Sequence, residues 1–360
     1  MKKVGIVGLP NVGKSSLFNF LTRSNVLVES FPFSTVDPNF GVFVVEDERV
    51  EVLARNERSK RVVHPSIDVV DIAGLVRGAS KGEGLGNQFL DHIRKVDAIA
   101  HVVRFFESPT VSHPYQTIDP KRDIEIIDTE LILKDIETVQ KRLEKQQKIA
   151  RTGDKDARRE VEFLEALLRF LSEGKLARNF PRKDSFEEEV IESLFLLTDK
   201  PEIIVFNTDD FTDEKEGIMR EIAEKRKSEY VVLNVALERE LSELSEEEAD
   251  VFRAEYGFSG DKRKEFFEKV LRTLNLIRFL TATENEARCW LTEEGTTAYK
   301  AAGMIHSDIQ RGFVKAEVIP FDEYVKYGSL KRAREMGILQ VHGKEYVIRE
   351  GDVIHFLFRT

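Results

Sequence analysis

The sequence predicts an α/β protein with a doubly wound core, an inserted helical hairpin and a small C-terminal domain. Short apolar runs alternate with helical stretches, and the final part of the chain changes to closely spaced strands. One interruption of about a hundred residues is too long for a single crossover. The predicted boundaries are a core in two parts, 1–122 and 200–277, an inserted arm, 123–199, and a C-terminal domain, 278–360.

The composition is that of a globular protein. Of 360 residues, 41% are hydrophobic and 33% are charged, and the net charge of −10 argues against a surface that coats nucleic acid as a whole, although it allows a local basic patch. The single Cys289 cannot form an internal disulfide, and we expect it to be buried in a protein of a reducing compartment. Because no signal peptide and no run of about 18 apolar residues are visible, we expect a cytoplasmic protein without a membrane segment.

Five runs rich in β-branched residues are predicted to form the sheet of the core. Their near-continuous hydrophobicity is typical of parallel strands that helices cover on both faces. These runs are 4–7, 67–72, 98–103, 203–206 and 230–235.

The inserted segment is predicted to form an antiparallel helical hairpin that projects from the core. Apolar residues recur at three- and four-residue intervals from Ile124 to Leu143 and again from Val161 to Leu171, as they do on one face of a helix. Residues 151–154, Arg-Thr-Gly-Asp, interrupt this pattern. A first helix of about 28 residues would be roughly 40 Å long. Two ordinary helices packed on the sheet are the alternative.

The C-terminal part is predicted to be a ubiquitin-like (β-grasp) module, which is a small mixed sheet with a short helix. It follows a last core helix over 262–276, and we expect its own helix at 330–336 and a hairpin turn at 342–344, His-Gly-Lys. The predicted strands are 279–282, 287–291, 314–319, 339–341, 346–348 and 353–358.

The most specific motif is Gly8-x-x-x-x-Gly13-Lys14-Ser15, between the first strand and an amphipathic helix. Its glycines let backbone N–H groups wrap phosphates and the helix N-terminus adds its dipole, so the motif predicts a P-loop for a nucleoside triphosphate. We expect Lys14 to contact the β- and γ-phosphates as a catalytic group, and the Ser15 hydroxyl to bind Mg²⁺. The predicted nucleotide-binding residues are Gly8, Asn11, Val12, Gly13, Lys14, Ser15 and Ser16.

A second motif, Asp71-Ile-Ala-Gly74, ends the second predicted strand. Asp71 is placed to hold Mg²⁺ through water, and the Gly74 N–H is placed to meet the γ-phosphate as a catalytic group. Thr35 is placed to give Mg²⁺ a second hydroxyl while triphosphate is bound. The loop 77–86 has four glycines in ten residues, which is typical of a mobile switch, although a passive loop has the same composition.

The predicted nucleobase motif follows the fourth strand and reads Asn207-Thr208-Asp209-Asp210. Guanine sites usually read Asn-Lys-x-Asp, whose carboxylate accepts from two N–H donors of the ring. Asn207 and Asp210 keep that spacing, but Thr208 replaces the lysine. We expect the other wall of the base site to be the segment after the last strand, Ala236, Leu237 and Glu238.

With these residues assembled, the chain resembles the Obg-like ATPase (YchF) family along essentially its whole length. The resemblance implies an Obg-type P-loop NTPase, or G domain, that is interrupted by a helical arm and followed by a TGS domain. The motifs that carry it are 11–16, 31–35, 71–80 and 82–87, with 302–308 and 351–358 in the C-terminal domain.

The resemblance gives two further residues a role. The position after Gly74 is Gln in many switch GTPases but is Leu75 here, so we expect slow intrinsic hydrolysis. His113 matches the family's assisting histidine, whose imidazole would position water or stabilise transition-state charge, whereas a solvated loop histidine is the simpler interpretation of the sequence alone. Asn11 resembles an asparagine that holds K⁺ in some related enzymes, so K⁺ is a candidate cofactor beside Mg²⁺.

The resemblance and the hydrogen-bond argument disagree about the base. The family typically has Glu as the last residue of the nucleobase motif and prefers ATP. Asp210 is one methylene shorter, which could restore guanine binding. We expect ATP, with GTP or the use of both as the alternative.

The turn of the predicted arm is basic. Residues 141–159 carry a net charge of +5 in a chain of −10, which suits contact with phosphates, although a solvated charged helix is the alternative. The family is associated with ribosomes, so the resemblance implies contact with the ribosome or ribosomal RNA through this turn and the TGS domain. A monomer is expected by default. The basic residues are Lys141, Arg142, Lys145, Lys148, Arg151, Lys155, Arg158 and Arg159.

Three functions remain open from the sequence. The first is a slow NTPase whose nucleotide state controls docking on a ribosome and so regulates translation or a stress response. The second is a nucleotide-gated regulatory binder in which hydrolysis is incidental. The third is a P-loop small-molecule kinase, which is disfavoured because no acceptor site is apparent, whereas Thr35 and 77–86 have the character of switch parts.

Overall fold

A computed structural model describes residues 1–22, 39–72, 90, 92–242 and 244–359. It contains two six-stranded sheets, one for the core and one for the C-terminal domain. Four predicted features lie outside the described residues, namely Thr35, Gly74, Leu75 and the loop 77–86.

The core sheet confirms the doubly wound arrangement. Its strand order is β2-β4-β1-β5-β6-β7, and all neighbours are parallel except the edge strand β2, which pairs antiparallel with β4 and was not anticipated. The first seven strands along the chain are β1 (Lys3–Val7), β2 (Phe40–Val44), β3 (Val62–Val63), β4 (Ser66–Asp71), β5 (Ala98–Arg104), β6 (Glu202–Asn207) and β7 (Glu229–Leu233).

Helices cover both faces of this sheet, which explains why its strands are apolar along their whole length. One correction concerns the run 230–235. The strand ends at Leu233, because the Asn234 side chain accepts from the Leu237 N–H and starts a helix there. The helices of the core and arm are α1 (Lys14–Thr22), α2 (Glu48–Glu57), α3 (Pro120–Ala150), α4 (Lys155–Ser172), α5 (Ser185–Leu194), α6 (Asp213–Arg226), α7 (Val235–Leu241), α8 (Glu246–Glu255) and α9 (Lys262–Thr273).

The inserted arm is the hairpin of α3 and α4, as the periodicity predicted. Asp119 caps α3 and Pro120 occupies its first turn, and after 31 residues the turn at 151–154 reverses the chain into α4. The first half of α3 lies on the core sheet, where Ile127 and Leu131 join the main core. The second half packs instead against α4 in a separate apolar cluster. The arm therefore projects only beyond the middle of α3.

Two buried carboxylates fasten the base of the arm. Asp135 of α3 accepts from the N–H groups of Leu197 (2.7 Å) and Thr198 (2.8 Å) and from the Thr198 hydroxyl (2.6 Å). Glu202 of β6 accepts from Arg226 at 2.9 Å, and the same guanidinium donates to Asp128 of α3 at 2.9 Å. Largely buried hydrogen bonds thus attach the arm to strand β6 of the core sheet.

The charge on Glu202 is compensated within the protein. Arg178, which follows α4, donates to its carboxylate at 2.6 Å, and His101 of β5 lies 3.1 Å from it. Burial alone would raise the pKa of Glu202, but the charges of Arg178 and Arg226 outweigh burial and hold that pKa well below its ordinary value. Removing one partner would leave a charge buried and unpaired.

The C-terminal domain has the strand order of a β-grasp fold, in which the first and last strands lie side by side and parallel. Here β8 pairs with β12 in parallel, and the full order is β11-β10-β12-β8-β9-β3. Its elements are β8 (Leu276–Ala282), β9 (Ala287–Glu293), α10 (Ala298–Ile305), α11 (Ser307–Arg311), β10 (Phe313–Pro320), α12 (Phe321–Tyr327), α13 (Leu330–Glu335), β11 (Gln340–His342) and β12 (Asp352–Phe358).

Two predictions for this domain are wrong. Leu276 was assigned to the last core helix but opens β8, because α9 stops at Thr273. Residues 346–348 are not a strand. Only Val347 forms an isolated bridge, to Thr297, and the Ile348 N–H donates to the Thr296 carbonyl at 3.0 Å. This segment therefore bonds to the loop before α10, and the turn at 342–344 closes no hairpin.

The connection between β2 and β4 belongs physically to the C-terminal domain, which the sequence did not reveal. Strand β3 adds to the edge of the C-terminal sheet beside β9, and α2 packs on the same sheet with Val50 and Leu53. Glu57 at the end of α2 accepts from the Tyr324 hydroxyl at 2.9 Å and from the Leu330 N–H at 2.7 Å. The core and the C-terminal domain consequently share one apolar cluster.

Cys289 is buried in that shared cluster, as expected. In the described part of the chain, no helix combines the length and the apolar character that crossing a membrane requires. The domain boundaries given above stay a prediction.

Candidate functional site

The P-loop connects β1 to α1, and its backbone is one that only glycine adopts readily at two positions. Gly8 has φ of +154°, and a Cβ there would lie 2.6 Å from the Val102 carbonyl oxygen of β5. Gly13 has φ of +103°, and a Cβ there would lie 2.5 Å from Nδ2 of Asn207. The loop is therefore pressed between two neighbouring strands, and its N–H groups surround the N-terminus of α1.

Asn207 ties the P-loop to the predicted base site. Its side chain is buried at the end of β6, where Nδ2 donates to the Val12 carbonyl at 2.9 Å and Oδ1 accepts from the Val235 N–H at 3.1 Å. One side chain thus bonds the phosphate loop to the first residue of α7. The structure brings together the three segments that the sequence predicted to meet: the P-loop, the motif 207–210 and the start of α7.

Lys14 lies over the P-loop. Its Nζ donates to the Leu9 carbonyl at 2.8 Å, and the side chain is buried. Burial lowers the pKa of Lys14 to about 8, and the nearby carboxylate of Asp71 opposes this shift only in part. A negative phosphate beside the ammonium would restore its charge.

Ser15 and Asp71 are in direct contact. The Ser15 hydroxyl donates to Oδ2 of Asp71 at 2.6 Å. Asp71 is the last residue of β4 and lies beside the P-loop because β4 and β1 are parallel neighbours. A hydroxyl and a carboxylate next to a phosphate loop are the hard oxygen ligands that Mg²⁺ takes together with water and phosphate oxygens. Among the described residues, no three His, Cys, Asp or Glu side chains cluster as a closed metal cage. The pair therefore fits a Mg²⁺ that is completed by its nucleotide.

The base motif differs from a guanine site in how its side chains are placed. Thr208 is fully buried, and its hydroxyl donates to the Asp210 carbonyl at 2.8 Å, so it cannot cover a base as the usual lysine stem does. The carboxylates of Asp209 and Asp210 are about half exposed and both bind Lys215, a residue that the sequence analysis missed. The available signal was a lysine in the first turn of the helix that follows the motif.

The three residues predicted to form the opposite wall of the base site differ in exposure. Ala236 is exposed and Leu237 is half-buried, so both are available to a ligand. Glu238 is buried and accepts from Arg253 of α8 through both of its carboxylate oxygens, at 2.9 Å each. The Glu238 carboxylate thus braces α8 against α7, and its predicted contact with the base stays untested.

The loop that contains His113 lies beside the P-loop. The buried guanidinium of Arg104, another residue that the sequence analysis did not single out, donates to the carbonyls of Phe106 and Val111 at 3.0 Å each. The Asn11 amide donates to the Ser112 carbonyl at 3.1 Å, which joins the loop to the P-loop. Asn11 Oδ1 is the atom left to meet K⁺ in the predicted role of that residue.

The imidazole of His113 is engaged on both sides. Its Nδ1 accepts from the Tyr115 N–H at 3.1 Å, and its Nε2 lies 2.8 Å from Oδ2 of Asp123 on α3. Since Nδ1 is an acceptor, Nε2 carries the proton and donates to Asp123. The side chain is only 4% exposed. The catalytic role of His113 stays a prediction, and it requires the ring to leave Asp123.

Two family models match the chain. Residues 3–149 match a family described as 50S ribosome-binding GTPase. Residues 276–359 match the model of a YchF GTPase C-terminal domain, which is described as a protein of unknown function. The two matches fall on the first part of the core with the start of the arm, and on the β-grasp domain.

Relatives match over the full length. The chain is 41% identical over 362 residues to the ribosome-binding ATPase YchF of Bacillus subtilis (strain 168), covering 99% of each protein. It is 41% identical over 361 residues to the ribosome-binding ATPase YchF of Escherichia coli O157:H7, again covering 99% of each. The solved structure of the Schizosaccharomyces pombe YchF GTPase is similar with a TM-score of 0.86 at 36% identity, over 99% of this chain and 97% of that one.

The lowered pKa of Lys14 predicts that triphosphate binding takes up a proton. Above pH 8 the free protein holds Lys14 mostly neutral, whereas the complex needs the ammonium, so the affinity for Mg²⁺-nucleotide should fall as the pH rises through 8. Calorimetric titration in two buffers of different ionisation heat should give close to one proton taken up per site at pH 9 and about 0.1 at pH 7. Equal affinity and no proton uptake at pH 9 would contradict this assignment.

Proposed function

The chain belongs to the YchF family, and on that premise we propose that it binds and slowly hydrolyses ATP with Mg²⁺ and docks on the ribosome under control of its nucleotide state. The observation that carries the enzymatic part is the contact of Ser15 with Asp71 beside a P-loop that Asn207 holds in place. The ribosomal part rests on the curated relatives, which are named ribosome-binding ATPases.

The phosphates are bound by backbone N–H groups from Gly8 to Ser15 and by the Lys14 ammonium, which exchanges the Leu9 carbonyl for phosphate oxygens. Ser15 would bind Mg²⁺ directly, Asp71 would hold it through water, and Thr35 would add a hydroxyl in the triphosphate state. A Mg²⁺ held there would supply positive charge to the phosphate oxygens during hydrolysis. The Gly74 N–H would contact the γ-phosphate, and loss of that phosphate after hydrolysis would release the switch segments.

Hydrolysis is slow because two expected aids to catalysis are missing or engaged. Leu75, at the usual Gln position, can neither donate nor accept a hydrogen bond to orient water. His113 is bonded to Asp123 and to the Tyr115 N–H. Asp123 lies in the first turn of α3, whose other end forms the tip of the arm, so a shift of the whole helix would free the imidazole. Ribosome contact at the tip would then act on the hydrolysis site along the length of α3.

GTP hydrolysis is the second candidate activity. The yeast relative is called a GTPase, one matching family model is described as a GTPase, and Asn207 and Asp210 keep the spacing of a guanine motif. ATP is favoured because the carboxylate of Asp210 is already paired and no lysine stem covers the base. A nucleotide-gated binder in which hydrolysis is incidental would use the same site.

The ribosomal contact is proposed for the tip of the arm, residues 141–159, and for the C-terminal β-grasp domain in the manner of a TGS domain. Two of the eight basic side chains are already paired, Arg142 with Glu160 and Arg159 with Asp184. The six others make no ion pair with any described residue, and all six are exposed. These six are Lys141, Lys145, Lys148, Arg151, Lys155 and Arg158. We also propose that the protein is a monomer and that it acts in the cytoplasm, where ribosomes are found.

Ribosomes should accelerate hydrolysis if nucleotide state and docking are coupled. We expect phosphate release from Mg²⁺-ATP to rise at least tenfold with saturating ribosomes, because docking frees His113 from Asp123. The His113→Ala variant should bind ATP normally but show no acceleration. An equal rate with and without ribosomes would instead support the binder in which hydrolysis is incidental.

Reversing charge at the arm tip should weaken ribosome binding without changing nucleotide affinity. We expect the triple variant Lys148→Glu, Arg151→Glu and Arg158→Glu to lower ribosome affinity at least tenfold near 0.1 M salt. Each phosphate contact that is lost also loses the free energy of releasing a counterion. Cosedimentation with ribosomes measures the loss.

The matched control places Glu at three exposed lysines of the core, Lys225, Lys227 and Lys264, which gives the same change in net charge. The control should sediment like the unmodified protein. Unchanged sedimentation of the arm variant, or an equal loss in both, would contradict a role for the tip.

A further inference from the structure

Lys215 occupies the edge of the predicted base site. It is the third residue of α6, and its Nζ donates to Oδ1 of Asp209 at 2.9 Å, to Oδ1 of Asp210, and to the Thr208 hydroxyl at 3.2 Å. An ammonium has three N–H donors, so all of them are directed at the motif 207–210. No other described side chain bonds to the Asp210 carboxylate.

Helix stability does not explain this position. A cation in the first turn of a helix is unfavourable because the N-terminus carries the positive end of the helix dipole. On the same helix Lys225 has an ordinary place, since it lies in the last turn and pairs with Glu221 one turn earlier. Lys215 is thus held where the helix disfavours it by two carboxylates of the base motif.

The ion pair persists at neutral pH. Burial alone would lower the pKa of Lys215, but the bonds from Asp210 and Asp209 outweigh burial and raise it. Burial alone would raise the pKa of Asp209, and the bond from Lys215 outweighs it and lowers that pKa. The Asp209 carboxylate and the Lys215 ammonium therefore keep their charges beside the predicted base site.

A guanine site needs the carboxylate that Lys215 occupies. Guanine offers two N–H donors, from the ring and from its 2-amino group, and both oxygens of one carboxylate accept them. In this protein one oxygen of Asp210 already accepts from Lys215. Guanine would have to displace this bond or share the oxygen with it, and an oxygen that already accepts from an ammonium is a weaker acceptor for a further N–H donor. Adenine lacks the 2-amino group and loses nothing by the pairing.

We propose that Lys215 is a specificity residue that excludes guanine nucleotides by holding the Asp210 carboxylate. The residue that would read guanine is thereby present but occupied, which explains how a chain with guanine-like spacing of Asn207 and Asp210 selects ATP. This inference rests on the proposed function, because it places the base at motif 207–210.

The test measures equilibrium dissociation constants for Mg²⁺ complexes of ATP, GTP and ITP, the last of which lacks the 2-amino group. In the Lys215→Met variant we expect the GTP:ATP ratio of dissociation constants to fall at least tenfold, since Asp210 becomes free. This variant should also bind GTP more tightly than ITP, whereas the unmodified protein should bind the two with equal dissociation constants. Lys215→Leu, which also removes every N–H donor from this position, is the second variant and should behave alike.

Two controls isolate the carboxylate. Lys225→Met removes a lysine from the same helix without touching the base motif, and its ratio should match the unmodified protein. Adding Asp210→Asn to Lys215→Met should abolish the gain in GTP binding, since the freed acceptor is lost.

Different results would overturn the proposed function and the role of Lys215. If the unmodified protein binds neither ATP nor GTP, the proposed function is wrong. If it binds nucleotide but both Lys215 variants keep its GTP:ATP ratio, or if the gain survives Asp210→Asn, the proposed function stands and the role of Lys215 is overturned.

Discussion

The buried amide of Asn207 is the contact on which the nucleotide site depends. It bonds the Val12 carbonyl on one side and the Val235 N–H on the other, so the ends of β1, β6 and β7 meet at one side chain. A Cβ on residue 13 would lie 2.5 Å from Nδ2 of Asn207, so only a glycine at this position leaves room for the Asn207 side chain. Lys14 and Ser15 follow Val12 directly and the base motif continues from Asn207, so both lie next to the residues that this amide bonds.

From this point two sets of contacts reach the surfaces proposed for the ribosome. On one side Arg226 joins Glu202 of the core sheet to Asp128 of the arm, and His113 joins the loop beside the P-loop to Asp123 of the same helix. On the other side α2, which lies between β2 and β4, packs into the C-terminal domain. Because β4 delivers Asp71, a shift of that strand with the nucleotide would act on the C-terminal sheet as well. The arm is therefore attached to β6 and the C-terminal domain to the connection before β4, and both strands end beside the P-loop.

The sequence predicted what depends on local pattern. Near-continuous apolar runs identified the five parallel strands, and the apolar stripe of the arm located both helices. The edge strands β2 and β3 were missed although both are apolar, because a run of two to five residues does not show which sheet it joins. Lys215 was missed although it follows Asp210 by only five residues, because a lysine in the first turn of a helix is not part of the usual base motif. Arg253 was missed because the fold, and not a motif, brings its partner Glu238 near. For the same reason the sequence could not show that both ring nitrogens of His113 are hydrogen-bonded.

The coupling between nucleotide and ribosome is a reciprocal free energy, and it can be measured without any variant. Ribosome affinity should be determined by cosedimentation with a non-hydrolysable ATP analogue and Mg²⁺, with ADP, and with no nucleotide. The account predicts at least a fivefold difference in ribosome affinity between the analogue and ADP, and a change by the same factor in the ratio of analogue affinity to ADP affinity when ribosomes saturate the protein. Equal ribosome affinity in all three states would contradict it, because a switch whose states bind a partner equally controls nothing.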